Sequence, residues 1–102
     1  MTKFFIKWWV DSAKLPDTPQ LKEHWVKMLE AVKAELSAGR LTEWGQFSNG
    51  REGYAITEAS AEDLCATMLK YAPVIVYNVV PVLDADQSME AVKKAAAAMQ
   101  GQ

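Results

Sequence analysis

The chain has 102 residues, half of them hydrophobic, and carries eleven basic and thirteen acidic side chains for a formal net charge of −2. That length accommodates one domain with one core, and the hydrophobic share excludes global disorder. Balanced charge without a basic stripe excludes a nucleic-acid surface, and no apolar run approaches the roughly 18 residues that a membrane span requires.

The first predicted element is a strand, Lys3-Phe4-Phe5-Ile6-Lys7-Trp8-Trp9-Val10. With a period of two, Phe4, Ile6, Trp8 and Val10 share one face, and Lys3, Phe5, Lys7 and Trp9 share the other. The all-apolar face belongs against helices, whereas the face mixing two lysines with two aromatics is where function is expected. A polar loop runs from Asp11 to Pro16. Thr18-Pro19 then opens a helix, Thr18 as N-cap and Pro19 in the first turn. Its stripe is Leu21, Trp25, Met28, Leu29, Val32 and Leu36, and Gly39 closes it as a left-handed cap with Arg40 beside it.

Asn49-Gly50 marks a hairpin spanning Glu43 to Glu58. A two-residue type I′ loop pairs Gln46 with Gly53 and Trp44 with Ala55. One face then carries Trp44, Gln46, Gly53, Ala55 and Thr57. The other carries Gly45, Phe47, Tyr54 and Ile56 and reads as the core face. Ser60-Ala61-Glu62-Asp63 opens a second helix as a capping-box variant, with Leu64, Met68 and Tyr71 inward and Pro73 closing it. The lone Cys65 excludes an internal disulfide and reads as a buried, inert thiol. Val74 to Leu83 is β-branched and forms a fourth strand, whose Pro81 requires a sheet edge. Ile75, Tyr77, Val79 and Pro81 share one of its faces, and Val76, Asn78, Val80 and Val82 the other. A third helix is expected from Ser88 to Met99, striped by Met89, Val92, Ala96 and Met99, with a fraying alanine-rich tail.

The order is β-α-β-β-α-β plus a C-terminal helix, the ferredoxin-like α+β sandwich. Residues 1–85 form the protomer and 86–102 the helix and tail. Both helices cross one face of the sheet, so Phe5, Trp9, Trp44, Val76, Val80 and Val82 are left on an open apolar face that needs a cover.

Gly53-Tyr54-Ala55-Ile56-Thr57-Glu58, and Tyr71-Ala72-Pro73 leading into Val79-Val80-Pro81-Val82-Leu83, resemble the third and last strands of the dimeric α+β barrel superfamily. The resemblance covers residues 3–84. In length, element order and the proline-bearing last strand the chain is similar to muconolactone isomerase, and also to small uncharacterised members. The resemblance implies a homodimer that pairs its open sheet faces. It leaves the chemistry among isomerases, cofactor-independent monooxygenases and proteins without activity. Haem-degrading members combine a first-strand Asn with a Trp and a His. Lys7 occupies the strand position here and His24 lies early in a helix, which argues against haem degradation.

On the open face Lys7, Trp9, Trp44, Gln46 and Asn78 supply a cation, two flat walls and two amides. That set suits a small planar, anionic organic ligand, with Lys7 as an acid or base if desolvated. The competing reading makes Lys7 a partner in an ion pair and the tryptophans interface packing. His24, the single histidine, is a candidate general base or a half-exposed helix residue. Neither His24 nor Cys65 has carboxylates at metal-ligand spacing, so neither a metal nor a cofactor is expected. The expected setting is cytoplasmic, without nucleic acid or membrane. Two classes stay open: a small-molecule protein using a barrel cavity, and a homodimer with a packed-shut barrel that acts through partners.

Overall fold

The computed structural model describes residues 2–14, 18–72 and 74–101. Four strands form one antiparallel sheet: β1 (Thr2–Val10), β2 (Glu43–Gln46), β3 (Glu52–Ala59) and β4 (Ile75–Val82), in the order β2-β3-β1-β4. The helices are α1 (Thr18–Ser37), α2 (Ala61–Leu69) and α3 (Ala85–Gln100). This mixed α+β arrangement is compatible with a ferredoxin-like fold. The aromatic, β-branched β1 sits in the centre, pairing with β3 on one side and β4 on the other. Pro81 lies on β4, an edge strand, where its missing N–H leaves no gap in the ladder.

The core is centred on Ile6, 1% exposed, with Val32, Leu41, Ala55 and Leu64 around it. Val32 comes from α1 and Leu64 from α2, so both helices cover the face of β1 that carries Ile6 and Trp8. Thr18, expected as the N-cap, is the first residue of α1 itself; its side chain, and Pro73, expected to close α2, lie outside what the structure describes. Gly39, at φ 78°, ends α1 in the left-handed region as expected. Ser60 caps α2, its Oγ accepting from the Asp63 amide at 3.2 Å.

Four expectations are corrected. Trp44–Ala55 and Gln46–Gly53 do pair as expected, yet the core face of the hairpin is the one bearing Trp44, Gly53, Ala55 and Thr57. Gly45, Phe47, Tyr54 and Ile56 lie on the open face. The cause is complementarity with β1: Ile6 pairs with Ala55 and Trp8 with Gly53, so small residues make room for large ones. The turn also differs. Only Gly50 has positive φ, at 76°, and the Asn49 side chain accepts the amides of Arg51 (2.9 Å) and Glu52 (3.3 Å). Asn49 thus works as a side-chain acceptor in a longer connection, not as a left-handed residue in a type I′ pair. Cys65 is exposed, because it falls beside the inward Leu64 on the outer side of α2. Finally, α3 begins at Ala85 and continues through Ala95–Ala98 to Gln100, where alanine's high helix propensity holds it. Asp84 and Gln87 form a reciprocal capping box at its start, at 2.8 and 2.9 Å. No residue of α3 is buried.

Candidate functional site

Between the helices and the sheet lies an apolar cavity of about 60 Å³. Trp8 and Trp44 form its floor, stacked with ring centroids 5.4 Å apart and planes 12° from parallel. Gly53 is what lets the Trp8 indole lie flat: a Cβ there would collide with the ring and with the Gly45 carbonyl. Trp8 Nε1 donates to the Tyr54 carbonyl at 3.3 Å, so the indole is fixed at its polar end. The roof is Trp25, Met28 and Val32 from α1 together with Met68 and Tyr71 from the α2 end. Tyr77 of β4 also lines this space. Its hydroxyl is cut off from solvent and has no hydrogen-bond partner among the described residues. Burial raises its pKa far above the ordinary phenol range, with Tyr71 adding to the shift, so Tyr77 is a neutral donor at any physiological pH.

A second, more open space of about 370 Å³ lies between α1 and the end of α2, lined by His24, Lys27, Glu35, Lys70 and Tyr71 among others. Glu35 is buried and held from both sides. Arg40 Nε donates to Oε2 at 2.5 Å and Lys70 Nζ to Oε1 at 3.1 Å. The Arg40 hydrogen bond keeps its carboxyl below the usual range against the opposing effect of burial, and Lys70 helps. Tyr71 is raised by burial and by the Glu35 charge. His24 meets Trp25 edge-on at 6.2 Å, and its Nε2 is buried without a partner among the described residues.

The open sheet face is a different surface. Lys7 stands between Tyr54 and Asn78, and Phe5 between Ile56 and Val80. Trp9 pairs with Val76 on one side and Glu52 on the other. Phe5, Tyr54 and Phe47 make a row of near-parallel rings 6.2 and 6.5 Å apart. Gly45 lies under the Tyr54 ring, where a Cβ would collide. Lys7 and Lys3 pair with Glu52 and Glu58 at 3.8 and 3.9 Å, all of them half-exposed or exposed. Tyr54 is raised by desolvation among its neighbours and by the Glu43 carboxylate.

The residues expected to form one ligand site are therefore divided. Trp44 and Gln46 line the interior cavity, whereas Lys7, Trp9 and Asn78 lie on the opposite side of the sheet. Gln46 also donates its amide to the Gly50 carbonyl at 3.0 Å, so it serves the turn. The cavity's distinctive groups, Tyr77, Trp8, Trp25 and Tyr71, were not singled out from sequence. Tyr77 carried a readable signal: a polar-tipped ring on the inward face of an otherwise aliphatic strand. Among the described residues no three metal-ligating side chains converge, and no helix is long and apolar enough to cross a membrane.

Residues 2–96 match the family described as Domain of unknown function (DUF3303). The chain belongs to that family. A small α+β unit with a four-stranded antiparallel sheet fits this membership. No curated protein matches the sequence.

Proposed function

We propose that this DUF3303 protein binds a small planar organic molecule in the cavity between its helices and sheet, and does so as a homodimer closed by the open sheet faces. The observation that carries the ligand reading is the Tyr77 hydroxyl, a buried donor without a partner among the described residues, on a side chain that lines an apolar space. Buried polar groups nearly always have partners, and a ligand oxygen would supply this one. The stacked Trp8–Trp44 floor offers a flat wall for an aromatic ring. At about 60 Å³ the space is smaller than the roughly 150 Å³ cavity that admits benzene. A ring would therefore enter as α1 and the α2 end move outward.

The dimer reading is supported by the open face, where Phe5 is 39% and Val80 49% exposed beside Trp9, Tyr54 and Ile56. Apolar patches of that kind mark interfaces. The small cavity volume favours a second reading, in which the interior stays closed and the dimer acts through partners. Tryptophan fluorescence decides between them, since Trp8, Trp25 and Trp44 all line the cavity. Saturable changes with phenols and other planar hydrogen-bond acceptors, weakened roughly tenfold in Tyr77→Phe, are expected, in line with one lost hydrogen bond. A flat response across the whole set would favour the closed dimer.

A further inference from the structure

We propose that the groove between α1 and the end of α2 is the anion-reading mouth of the interior cavity, and that the ligand is an aromatic monocarboxylate bearing an oxygen at its far end. The proposal rests on the small-molecule reading above and specifies its ligand class. Met28 and Tyr71 line both spaces, so two side chains are the wall between cavity and groove. The two buried side-chain polar atoms without a partner among the described residues are Tyr77 Oη and His24 Nε2. One belongs to a residue lining the cavity, the other to a residue lining the groove. Two orphan groups, on side chains that line two adjoining spaces, suit a molecule with a polar atom at each end and an apolar body between, once the walls move to admit it.

The charge around the groove decides which polar group goes there. Glu35 has both carboxylate oxygens occupied, one by Arg40 and one by Lys70. Of these two cations only Lys70 lines the groove, and Arg40 neutralises Glu35 from outside it. Lys27 is the second cation lining the groove and pairs with the exposed Glu23 at 3.4 Å, so the lining carries two cations beside one already neutralised carboxylate. An anion here would take Lys70 and Lys27 as charge partners and His24 as a hydrogen-bond partner. The cavity beyond has no charged side chain in its largely apolar lining, so it accepts the ring and rejects a second carboxylate. Tyr77, held neutral, donates to the oxygen at the far end.

The test uses 4-hydroxyphenylacetate and its neutral isostere 4-hydroxyphenylacetamide, each titrated by tryptophan fluorescence at low and high salt. The acid should bind roughly tenfold tighter than the amide at low salt, and the gap should narrow as salt rises. Lys27→Gln should reduce the gap by roughly twofold and Lys27→Gln/Lys70→Gln should close it through lost affinity for the acid. Tyr77→Phe should weaken acid and amide equally. Far-UV circular dichroism checks folding of the double variant, and Lys27→Gln alone leaves both contacts of Glu35 in place. Equal affinity for acid and amide in the unaltered protein would overturn the anionic mouth while leaving the cavity reading intact. An acid preference that survives the double variant would also overturn it, placing the anion elsewhere. Binding of neither probe would remove the cavity reading for this ligand class, and the mouth with it.

Discussion

On the covered face of the sheet Ile6 and Trp8 stand over Ala55 and Gly53, while on the open face Phe5 and Lys7 stand beside Ile56 and Tyr54. The covered face alternates large with small across strands, so the helices can pack down on Trp8 and Trp44. The open face sets ring beside ring and leaves them uncovered by this chain. Glycine serves both sides of the sheet, under Trp8 at position 53 and under Tyr54 at position 45. What differs is the freedom of the ring above. Trp8 is buried and hydrogen-bonded to backbone, whereas Tyr54 is partly exposed and meets other side chains.

That contrast sets the largest expected effect. Gly53→Ala would press a methyl against the Trp8 ring and the Gly45 backbone at once, with no flexible end to yield. It should destabilise by about 3 kcal/mol, the upper part of the overpacking range. Gly45→Ala meets only the Tyr54 ring and should cost about 1 kcal/mol. Urea midpoints of the two variants check the ordering. Equal losses would mean that the two faces constrain their rings alike.

Element order, hairpin register and the β4 edge were legible because they depend on local signals: alternation, a turn at Asn49-Gly50, a proline at 81. The faces of β1 and β4 were legible for the same reason. The hairpin's faces were not, because Gly53 and Ala55 look like poor core residues until Trp8 and Ile6 are placed over them. Core quality there belongs to pairs of strands rather than to either strand alone. The candidate site inherits that difficulty. Lys7 and Trp9 attract notice as chemistry on β1, yet the cavity is made by α1, β4 and the α2 end meeting above Trp8 and Trp44.

The next effect tests what the open face is for. If a second copy covers it, Trp9→Glu would place a carboxylate among apolar groups in the seam, at a cost of several kcal/mol to association. Light scattering at micromolar concentration should then give twice the chain mass for the unaltered protein and the single-chain mass for the variant. A single-chain mass for both would show that the open face has no second copy on it.

Ion pairs sharpen the comparison further. Glu35, on α1, is buried and held by the half-exposed Arg40 and Lys70, while Lys7–Glu52 and Lys3–Glu58 are solvent-accessible pairs on the open face. Glu35→Gln should cost about 2 kcal/mol at neutral pH, since it loses two hydrogen bonds to cations that are themselves half exposed. Lys3→Met should change chain stability by less than about 1 kcal/mol. The pH dependence has a definite sign. The folded-state pKa of Glu35 is depressed, so its stabilisation is complete above the unfolded value of about 4.3 and is lost as pH falls through the folded value. The stability gap between the unaltered protein and Glu35→Gln should be level from pH 6 to 8, as both values lie below that window, and close in acid. A gap that persists at low pH would mean the residue acts through packing instead of charge.

One small effect has the opposite sign. Tyr77 keeps a hydroxyl buried without a partner among the described residues, in a position where phenylalanine would fill nearly the same volume. Leaving such a donor unsatisfied costs about 1–3 kcal/mol, so Tyr77→Phe should stabilise the empty protein by about 1 kcal/mol. In a domain of this size that corresponds to a rise of roughly 4–8 °C in Tm. A residue retained for packing would behave otherwise: removing its hydroxyl would leave stability unchanged or lower it. Retaining a destabilising group makes physical sense where something binds to it, and the same variant is expected to lose affinity for planar oxygen-bearing ligands. Thermal denaturation without ligand, followed by the fluorescence titration on the same samples, reads both signs from one substitution. A lowered Tm would show that the hydroxyl has a partner within the fold, and the case for a ligand at Tyr77 would fall with it.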